Sequence, residues 1–304
     1  MKLPKSVRIA EVGPRDGLQN LPNFIPTEKK IELIEKLILS GIKEIELTSF
    51  VHPKSIPQMA DASEVASSIV KKYGEDKSFR FYALVPNVRG AENAVKSGLE
   101  MVCVVISASE AHNKANINRS IEESINGLSE IINAFPELIV RLDVGTALGC
   151  PFEGDISIDK VVSLIDAGLE IGVKELTICD TIGIGNPFQT EKLVNTLMQK
   201  YSKIPMSLHL HDTRGMGLAN VLTGMQCGID VFETSIGGLG GCPFAPGAAG
   251  NTATEDTVNM LSEMGIETGI DHNKLYEAVY YVRDNIKNDL ISSHMVRVNR
   301  GMSD

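Results

Sequence analysis

Two histidines, His209 and His211, stand two residues apart in the segment MSLHLH. The segment Met206–His211 reads as a short apolar strand, and successive side chains of a strand alternate between its faces. Both imidazoles therefore point the same way, close enough to bind one cation. A single histidine is usually structural, but a buried strand rarely carries two on one face. The spacing favours a metal site.

Two further residues could complete the site with oxygen ligands. Asp16 follows the first predicted strand in GPRDGLQN, and Asn251 ends the glycine-rich run GGLGGCPFAPGAAGN. Two nitrogen and two oxygen ligands, without thiolates, suit Mg²⁺ or Mn²⁺ better than structural zinc. We therefore expect a divalent cation at Asp16, His209, His211 and Asn251.

Arg15 precedes Asp16 and would lie beside the metal. Its planar guanidinium could stabilise an enolate oxygen or a substrate carboxylate. The alternative is an ion pair at the barrel mouth with Glu11 or Glu46. The two interpretations are compatible.

Cys242 lies in the middle of the glycine-rich run. Its glycines favour a mobile lid, and a thiol on a lid near a cation could act as an acid or base. The alternative is a small apolar side chain, as many lone cysteines are.

The elements that would position these residues alternate between strand and helix. Eight β-branched, apolar runs predict strands at Val7–Val12, Lys43–Thr48, Phe79–Val85, Met101–Ser107, Leu138–Val144, Lys174–Cys179, Met206–His211 and Asp230–Ile236. Amphipathic stretches predict helices after Thr27, which could cap the first, and near Ala60–Lys72, Arg89–Ser97, Ile121–Ala134, Ile158–Ile171, Thr190–Lys200, Leu218–Cys227 and Glu255–Met264. This order predicts an α/β fold, a (β/α)₈ TIM barrel in one domain of residues 1–304. We expect residues 271–304 to form a helical extension packed on it.

A doubly wound sheet is the competing fold, but GPRDG after the first strand is not its GxGxxG motif. Polar and glycine-rich residues instead follow the carboxyl ends of all eight predicted strands, where TIM barrels build their active sites. Loop chemistry explains the glycines, but it does not explain Arg15, Asp16, Glu46, His209 and His211.

Composition limits the partners and the compartment. The chain of 304 residues has a net charge of −10, which disfavours nucleic acid and anionic membranes. Five cysteines without a CxxC pair indicate a reducing compartment. With no predicted signal peptide or membrane span, we expect a cytoplasmic protein.

EVGPRDGLQN, ELTSFVHPK, HLHDT and GLGGCPFAPGAAGNTATED together resemble the hydroxymethylglutaryl-CoA lyase family. The resemblance spans about residues 7 to 270. It implies retro-Claisen cleavage of 3-hydroxy-3-methylglutaryl-CoA to acetyl-CoA and acetoacetate, with an acyl-CoA substrate and a homodimer as expected partners. HxHDT alone is shared by a wider group of metal-dependent synthases, carboxyltransferases and aldolases.

The resemblance also implies roles for residues. The metal ligands would be Asp16, His209, His211 and Asn251. Arg15 would bind the thioester enolate and Cys242 would be the acid or base on the lid. The site would be oriented and tuned by Glu46 and Asp180, with Glu11 near Arg15.

One position departs from the family pattern. Asp143 stands where the family commonly has an aromatic residue. We expect its charge to repel a substrate carboxylate or to favour a different acyl group.

Three alternatives to this lyase remain at this point. A condensing enzyme related to isopropylmalate or homocitrate synthase would share HxH but lack the cysteine loop. A lyase for another 3-hydroxyacyl-CoA is favoured by Asp143. A non-catalytic barrel would not need the complete set of polar residues.

Overall fold

Parallel strands close into a barrel in chain order, which confirms the predicted (β/α)₈ architecture. The computed structural model describes residues 3–241, 250–288 and 293–299. Each strand pairs with the next, and the first pairs with the eighth, from Arg8 beside Val231 to Glu11 beside Thr234. The strands are β1 (Arg8–Glu11), β2 (Glu44–Ser49), β3 (Arg80–Leu84), β4 (Met101–Ser107), β5 (Ile139–Gly145), β6 (Glu175–Asp180), β7 (Met206–Leu210) and β8 (Val231–Thr234).

Helices follow the strands and cover the outside of the barrel. They are α1 (Thr27–Leu39), α2 (Ala62–Tyr73), α3 (Val88–Lys96), α4 (Glu110–Ile117), α5 (Ile121–Ala134), α6 (Ile158–Glu170), α7 (Pro187–Lys200), α8 (Gly217–Gln226), α9 (Thr254–Glu263), α10 (His272–Asn285) and α11 (His294–Asn299). Side chains fix where several of them begin. Ser120 of α5 and Asn186 of α7 each form a reciprocal capping box, with Glu123 and Gln189.

The prediction for the start of α1 was wrong. Thr27 is the first helical residue rather than the cap, and the preceding Pro26 offers no side-chain acceptor. The Thr27 hydroxyl donates instead to Asp61 Oδ2, 2.8 Å away. The hydroxyl that the local sequence predicted as a helix cap therefore forms a tertiary hydrogen bond instead.

The two faces of the barrel strands carry different chemistry. Alternate residues such as Ile45, Leu142 and Phe232 belong to the large apolar core. Many of the residues between them are polar or charged and buried, among them Glu46 and Arg141, beside a small apolar cluster that contains Met101 and Cys103. Because side chains alternate along a strand, the apolar set packs under the helices and the polar set fills the barrel interior. The interior is therefore a polar chamber leading to the mouth.

The chain after the last barrel helix packs on the outside. Helix α10 lies against α1, and α11 lies against α9. Asp256 of α9 binds the start of α11 by accepting from the backbone N–H groups of His294 and Met295, at 2.7 and 2.8 Å. Among the residues described, no helix is long and apolar enough to cross a membrane.

Candidate metal centre at the barrel mouth

A single π-helical turn, Gly13–Gly17, carries Arg15 and Asp16 immediately after β1. The backbone N–H of Asp16 donates to the carbonyl of Val12 at 2.7 Å, so the turn folds back on the strand end. Such turns are rare and concentrate at functional sites. Both side chains are buried and face the chamber.

His209 lies near the end of β7, and His211 follows directly after the strand. Both are buried, and their Nε2 atoms lie 3.1 Å apart. Burial and the neighbouring His209 lower the pKa of His211 to about 3, so it is neutral near pH 7. The structure therefore places the two imidazoles side by side, as the two-residue spacing predicts.

Asn251 is brought to the histidines by backbone pairing of the chain that returns from the glycine-rich run. It forms an antiparallel bridge with His211, and two residues later Ala253 bridges Ser235 after β8. The return segment is thus held between the ends of β7 and β8. Gly240 makes the packing feasible, since its φ is +104° and a Cβ there would lie 2.5 Å from Asn251 Nδ2.

Asp16, His209 and His211 offer ligand atoms that all lie within 4.8 Å of one another. Asn251 Nδ2 donates to Asp16 Oδ2 at 2.6 Å, while Asn251 Oδ1 is buried without a hydrogen-bond partner among the described residues. A buried, unpaired amide oxygen is unusual. It fits an oxygen ligand that faces a cation.

The charges around the cluster also fit a divalent cation. Near it are four buried acidic side chains, Asp16, Glu46, Asp143 and Glu233, and two buried basic ones, Arg15 and Arg141. When ionised, these groups carry two more negative than positive charges, in a chamber where an uncompensated charge is costly. A divalent ion would balance them.

Arg15 is held by ion pairs on both sides. Its Nη1 lies 2.8 Å from Asp16 Oδ1, and its Nε lies 2.7 Å from Glu46 Oε1. Burial alone would lower the pKa of Arg15, but the charges of Glu46 and Asp16 raise it well above its usual value. Arg15 is a fixed cation beside the cluster.

Glu46 therefore has a structural partner, as one of the two interpretations of Arg15 expects. Burial raises the pKa of Glu46 to about 7, against the opposing charge of Arg15.

Of the two partners considered for Arg15, the described residues show an ion pair with Glu46 and none with Glu11. Its carboxylate accepts from the N–H groups of Gly13 and Ile236, at 2.7 and 2.9 Å, and from the hydroxyl of Thr254 at 2.6 Å. It ties the π-helical turn to the chain after β8. It contributes to the site by fixing the start of the turn that carries Arg15.

Asp180 has a similar contact pattern at the end of β6. It accepts from the backbone N–H groups of Ile184 and Gly185, at 3.1 and 2.9 Å. Burial raises the pKa of Asp180 to about 6. These contacts shape the loop after β6.

Cys242, the predicted acid or base on the lid, lies outside the described residues.

Asp143 is not a free negative charge, so the expected repulsion of a substrate carboxylate is wrong. Its Oδ1 lies 2.8 Å from Nε of Arg141. Both side chains are buried, two residues apart on the inner face of β5. The neighbouring arginine compensates the carboxylate.

Sequence reasoning missed Arg141 and Glu233. Glu233 Oε2 lies 2.9 Å from His209 Nδ1, and Glu233 Oε1 lies 2.5 Å from Nη2 of Arg141. The signal was available, because both are charged residues that alternate with apolar ones inside buried strands.

A cavity of about 680 Å³ opens from the cluster toward α4 and α5. Its base includes Arg15, Asp16, His209 and His211, and its far wall includes residues 115–119. His112 is buried in its wall, with Nδ1 2.6 Å from Ser107 Oγ. The cavity has room for a substantial organic ligand with one end at the cluster.

Comparisons with known proteins found a matching family and similar proteins over nearly the whole chain. The family model described as HMGL-like matches residues 6–282. The hydroxymethylglutaryl-CoA lyase YngG of Bacillus subtilis (strain 168) is 46% identical over 297 residues, covering 97% of this chain and 98% of that protein.

Solved structures give the same result. The crystal structure of the Bacillus subtilis HMG-CoA lyase aligns with a TM-score of 0.93 and 45% identity, over 99% of this chain and 100% of that one. An HMG-CoA lyase from Acinetobacter baumannii, in complex with coenzyme A and 3-methylmalate, aligns with a TM-score of 0.92 and 39% identity, over 99% and 97% of the two chains.

Proposed function

Because this chain belongs to the HMGL-like family, we propose that it is a carbon–carbon lyase that cleaves 3-hydroxy-3-methylglutaryl-CoA to acetyl-CoA and acetoacetate. The observation that carries the proposal is the buried cluster of Asp16, His209 and His211 beside Arg15, at the base of a cavity that could hold an acyl-CoA.

Four side chains would hold the cation: Asp16, His209, His211 and Asn251. Its oxygen and nitrogen ligands support Mg²⁺ or Mn²⁺. A divalent cation there would polarise the tertiary hydroxyl and a neighbouring carbonyl oxygen of the substrate. The unpaired Asn251 Oδ1 and the excess of acidic groups support this assignment.

Arg15 would bind the developing enolate. When a base of the site takes the proton of the tertiary hydroxyl, that oxygen becomes the ketone oxygen of acetoacetate, the bond between C2 and C3 breaks, and its electrons pass to the acetyl-CoA carbon as the thioester enolate. The ion pairs to Glu46 and Asp16 keep the Arg15 guanidinium charged and fixed. A preorganised cation of this kind stabilises the transition state more than a mobile one. Glu46 thus acts through Arg15.

Cys242 would supply the acid or base on the loop after β8, protonating the enolate carbon to release acetyl-CoA. Asp180 would shape the opposite rim through its backbone contacts. His209 serves the reaction as a ligand that orients the substrate through the cation.

The condensing alternative and the lyase for another acyl group are not favoured. The named relatives with high identity are hydroxymethylglutaryl-CoA lyases. Asp143, which suggested a different acyl group, is engaged by Arg141.

The test is an assay of the purified protein with Mn²⁺ or Mg²⁺ and 3-hydroxy-3-methylglutaryl-CoA, following both products by mass spectrometry. We expect metal-dependent release of acetyl-CoA and acetoacetate, stopped by EDTA and restored by added metal. Full metal occupancy with no product from this substrate would contradict the proposed activity.

We also propose a homodimer acting in leucine degradation or ketone-body formation, as the resemblance implies, and a cytoplasmic location, as the composition indicates. The cysteines within the described residues, Cys103, Cys150, Cys179 and Cys227, are all free thiols, which supports a reducing compartment. Light scattering of the purified protein would test the dimer, and a monomeric mass at micromolar concentration would contradict it.

A further inference from the structure

The Glu233 carboxylate lies between one of the proposed metal ligands and the centre of the barrel. Its Oε2 accepts from His209 Nδ1 at 2.9 Å. Its Oε1 lies 2.5 Å from Arg141 Nη2 and accepts from the Tyr82 hydroxyl at 3.0 Å. All four side chains are buried. Glu233 therefore cannot turn away from His209 without giving up two other contacts.

Arg141 is itself fixed from several strands. Its Nε lies 2.8 Å from Asp143 Oδ1, its Nη1 lies 4.0 Å from Glu44 Oε1, and its guanidinium carbon lies 4.3 Å from the centre of the Tyr82 ring. These contacts come from β2, β3 and β5, so they join the inner faces of neighbouring strands. The arginine is anchored below the mouth and presents one N–H edge to Glu233.

The contact of Glu233 with His209 decides which imidazole nitrogen is available to a metal. A carboxylate can only accept, so His209 Nδ1 carries the proton, and in the neutral ring Nε2 keeps its lone pair. That Nε2 atom faces His211 Nε2 at 3.1 Å. A carboxylate behind a histidine ligand fixes the ring orientation and increases ligand basicity.

We infer that Glu233 and Arg141 are positioning residues for the metal centre: Glu233 orients His209, and Arg141 holds Glu233. The inference rests on the proposed metal-dependent function, since it takes His209 as a ligand. It adds two residues, from β8 and β5, that have no assigned role in that function. A merely structural role would affect folding stability and leave metal affinity unchanged.

The experiment measures Mn²⁺ affinity directly, from the free-ion signal in electron paramagnetic resonance, on the purified full chain without substrate. Glu233→Gln keeps the shape of the side chain and removes its charge. We expect the Mn²⁺ dissociation constant to rise by roughly 10–100-fold, the usual cost of losing such a partner. Glu233→Asp shortens the side chain by one methylene and so moves the carboxylate away from His209. It is the variant to measure if Glu233→Gln does not unfold cooperatively.

The contribution of Arg141 is tested by replacing the whole Arg141–Asp143 pair, since removing the arginine alone would leave a buried carboxylate unpaired. The variant R141M/D143L should weaken Mn²⁺ binding in the same direction but less than Glu233→Gln. The triple variant should bind no more weakly than Glu233→Gln alone, because the arginine acts through Glu233.

Glu175→Gln is the matched control. It removes a partly buried ion pair with Arg80 from the same barrel, 2.6 Å between Arg80 Nη2 and Glu175 Oε2, without touching the cluster. We expect its Mn²⁺ affinity to stay within twofold of the wild type, even if its melting temperature falls.

The outcomes separate the inference from the proposed function. A Glu233→Gln protein that binds Mn²⁺ like the wild type would overturn the inference for both residues. If the triple variant bound Mn²⁺ more weakly than Glu233→Gln, by the loss measured for R141M/D143L, Arg141 would not act through Glu233. A wild-type protein that binds no Mn²⁺ would instead remove the metal-dependent function on which the inference rests.

Discussion

His209 and His211 differ in what holds their rings. His209 is supported by Glu233, whereas His211 Nδ1 is buried with no hydrogen-bond partner in the described part of the chain. Burial alone would lower the pKa of His209, but the hydrogen bond and charge of Glu233 raise it overall. The orientation of the pair therefore depends mainly on His209, and the backbone bridge from Asn251 fixes the position of His211.

The first prediction at this scale is that His209→Ala loses bound Mn²⁺ and nearly all activity. Polarisation by a metal contributes several kcal/mol to catalysis, so we expect turnover to fall by at least ~10³-fold. Metal stoichiometry by mass spectrometry and the acetyl-CoA assay measure the two effects. His272→Ala, at the start of α10, is the control and should retain both properties. Full metal content in His209→Ala would remove this residue from the ligand set.

A second prediction concerns Cys242, whose role is inferred from its loop and from the family resemblance. Cys242→Ser should bind Mn²⁺ normally and turn over about 10²–10⁴-fold more slowly, the usual contribution of a proton-transfer group. Single-turnover kinetics at saturating metal give the measurement. Turnover at the wild-type rate would exclude Cys242 from the mechanism.

At the scale of elements, the first turn of α9 is bound to the end of β8 and to the chain that follows it. Glu255 of this turn is buried, and one of its oxygens accepts from the N–H of Gly237 at 3.0 Å. Burial raises the pKa of Glu255 from 4.5 to about 7. The folded chain thus keeps a proton that the unfolded chain releases between these values, so this group stabilises the fold less as pH rises through that window.

Glu255→Gln should remove this dependence, because an amide has no proton to lose. Relative to the wild type, we expect the variant's free energy of unfolding to increase by about 2–3 kcal/mol between pH 5 and pH 8. Urea denaturation at both pH values, in EDTA, measures the difference. Glu263→Gln, at the exposed end of the same helix, is the control and should show the same difference at both pH values. A Glu255→Gln difference that does not change with pH would contradict the assignment.

Most strands and helices could be predicted from the sequence, because each apolar strand is bounded by turn residues. The predicted strand Met101–Ser107 and helix Ile121–Ala134 match the structure, and other boundaries differ by a few residues. The π-helical turn at Gly13–Gly17 was not predicted. Its shape depends on Glu11 accepting from Ile236, 225 positions away in the chain. No local pattern records such a contact.

The sequence predicted the proposed metal ligands more completely than the residues that hold those ligands in place. Asp16, His209, His211 and Asn251 stood out by residue type at strand ends, and the structure brings them together. Arg141 and Glu233 were missed because charged residues inside strands were considered only at Glu46 and Asp143. A search for charged residues alternating with apolar ones would also have found Arg141 and Glu233.

At the scale of the whole molecule, the net charge of −10 contrasts with a substrate that is itself anionic. Basic side chains line the cavity itself, since Arg15 lies at its base and Arg119 in its wall. A bound divalent cation would make the base more positive. The acidic surface therefore does not prevent the cavity from binding an acyl-CoA.

The ligands also lie on both sides of the junction where the barrel closes. Asp16 follows β1, His209 and His211 belong to β7 and its end, and Asn251 returns after β8. A cation held by all four would join these strands and offset the excess of buried acidic groups. We therefore expect metal to stabilise the entire fold as well as the mouth.

Saturating Mn²⁺, at about 100 times its dissociation constant, should add about 2.7 kcal/mol to the free energy of unfolding. For a chain of this size that is a rise in melting temperature of roughly 5 °C, which EDTA should abolish. Differential scanning calorimetry with and without metal measures the shift. His209→Ala should show no such rise, because it lacks a ligand at the junction. An equal rise in that variant would mean that the cation stabilises the protein from another site, and the link between barrel closure and the metal centre would be lost.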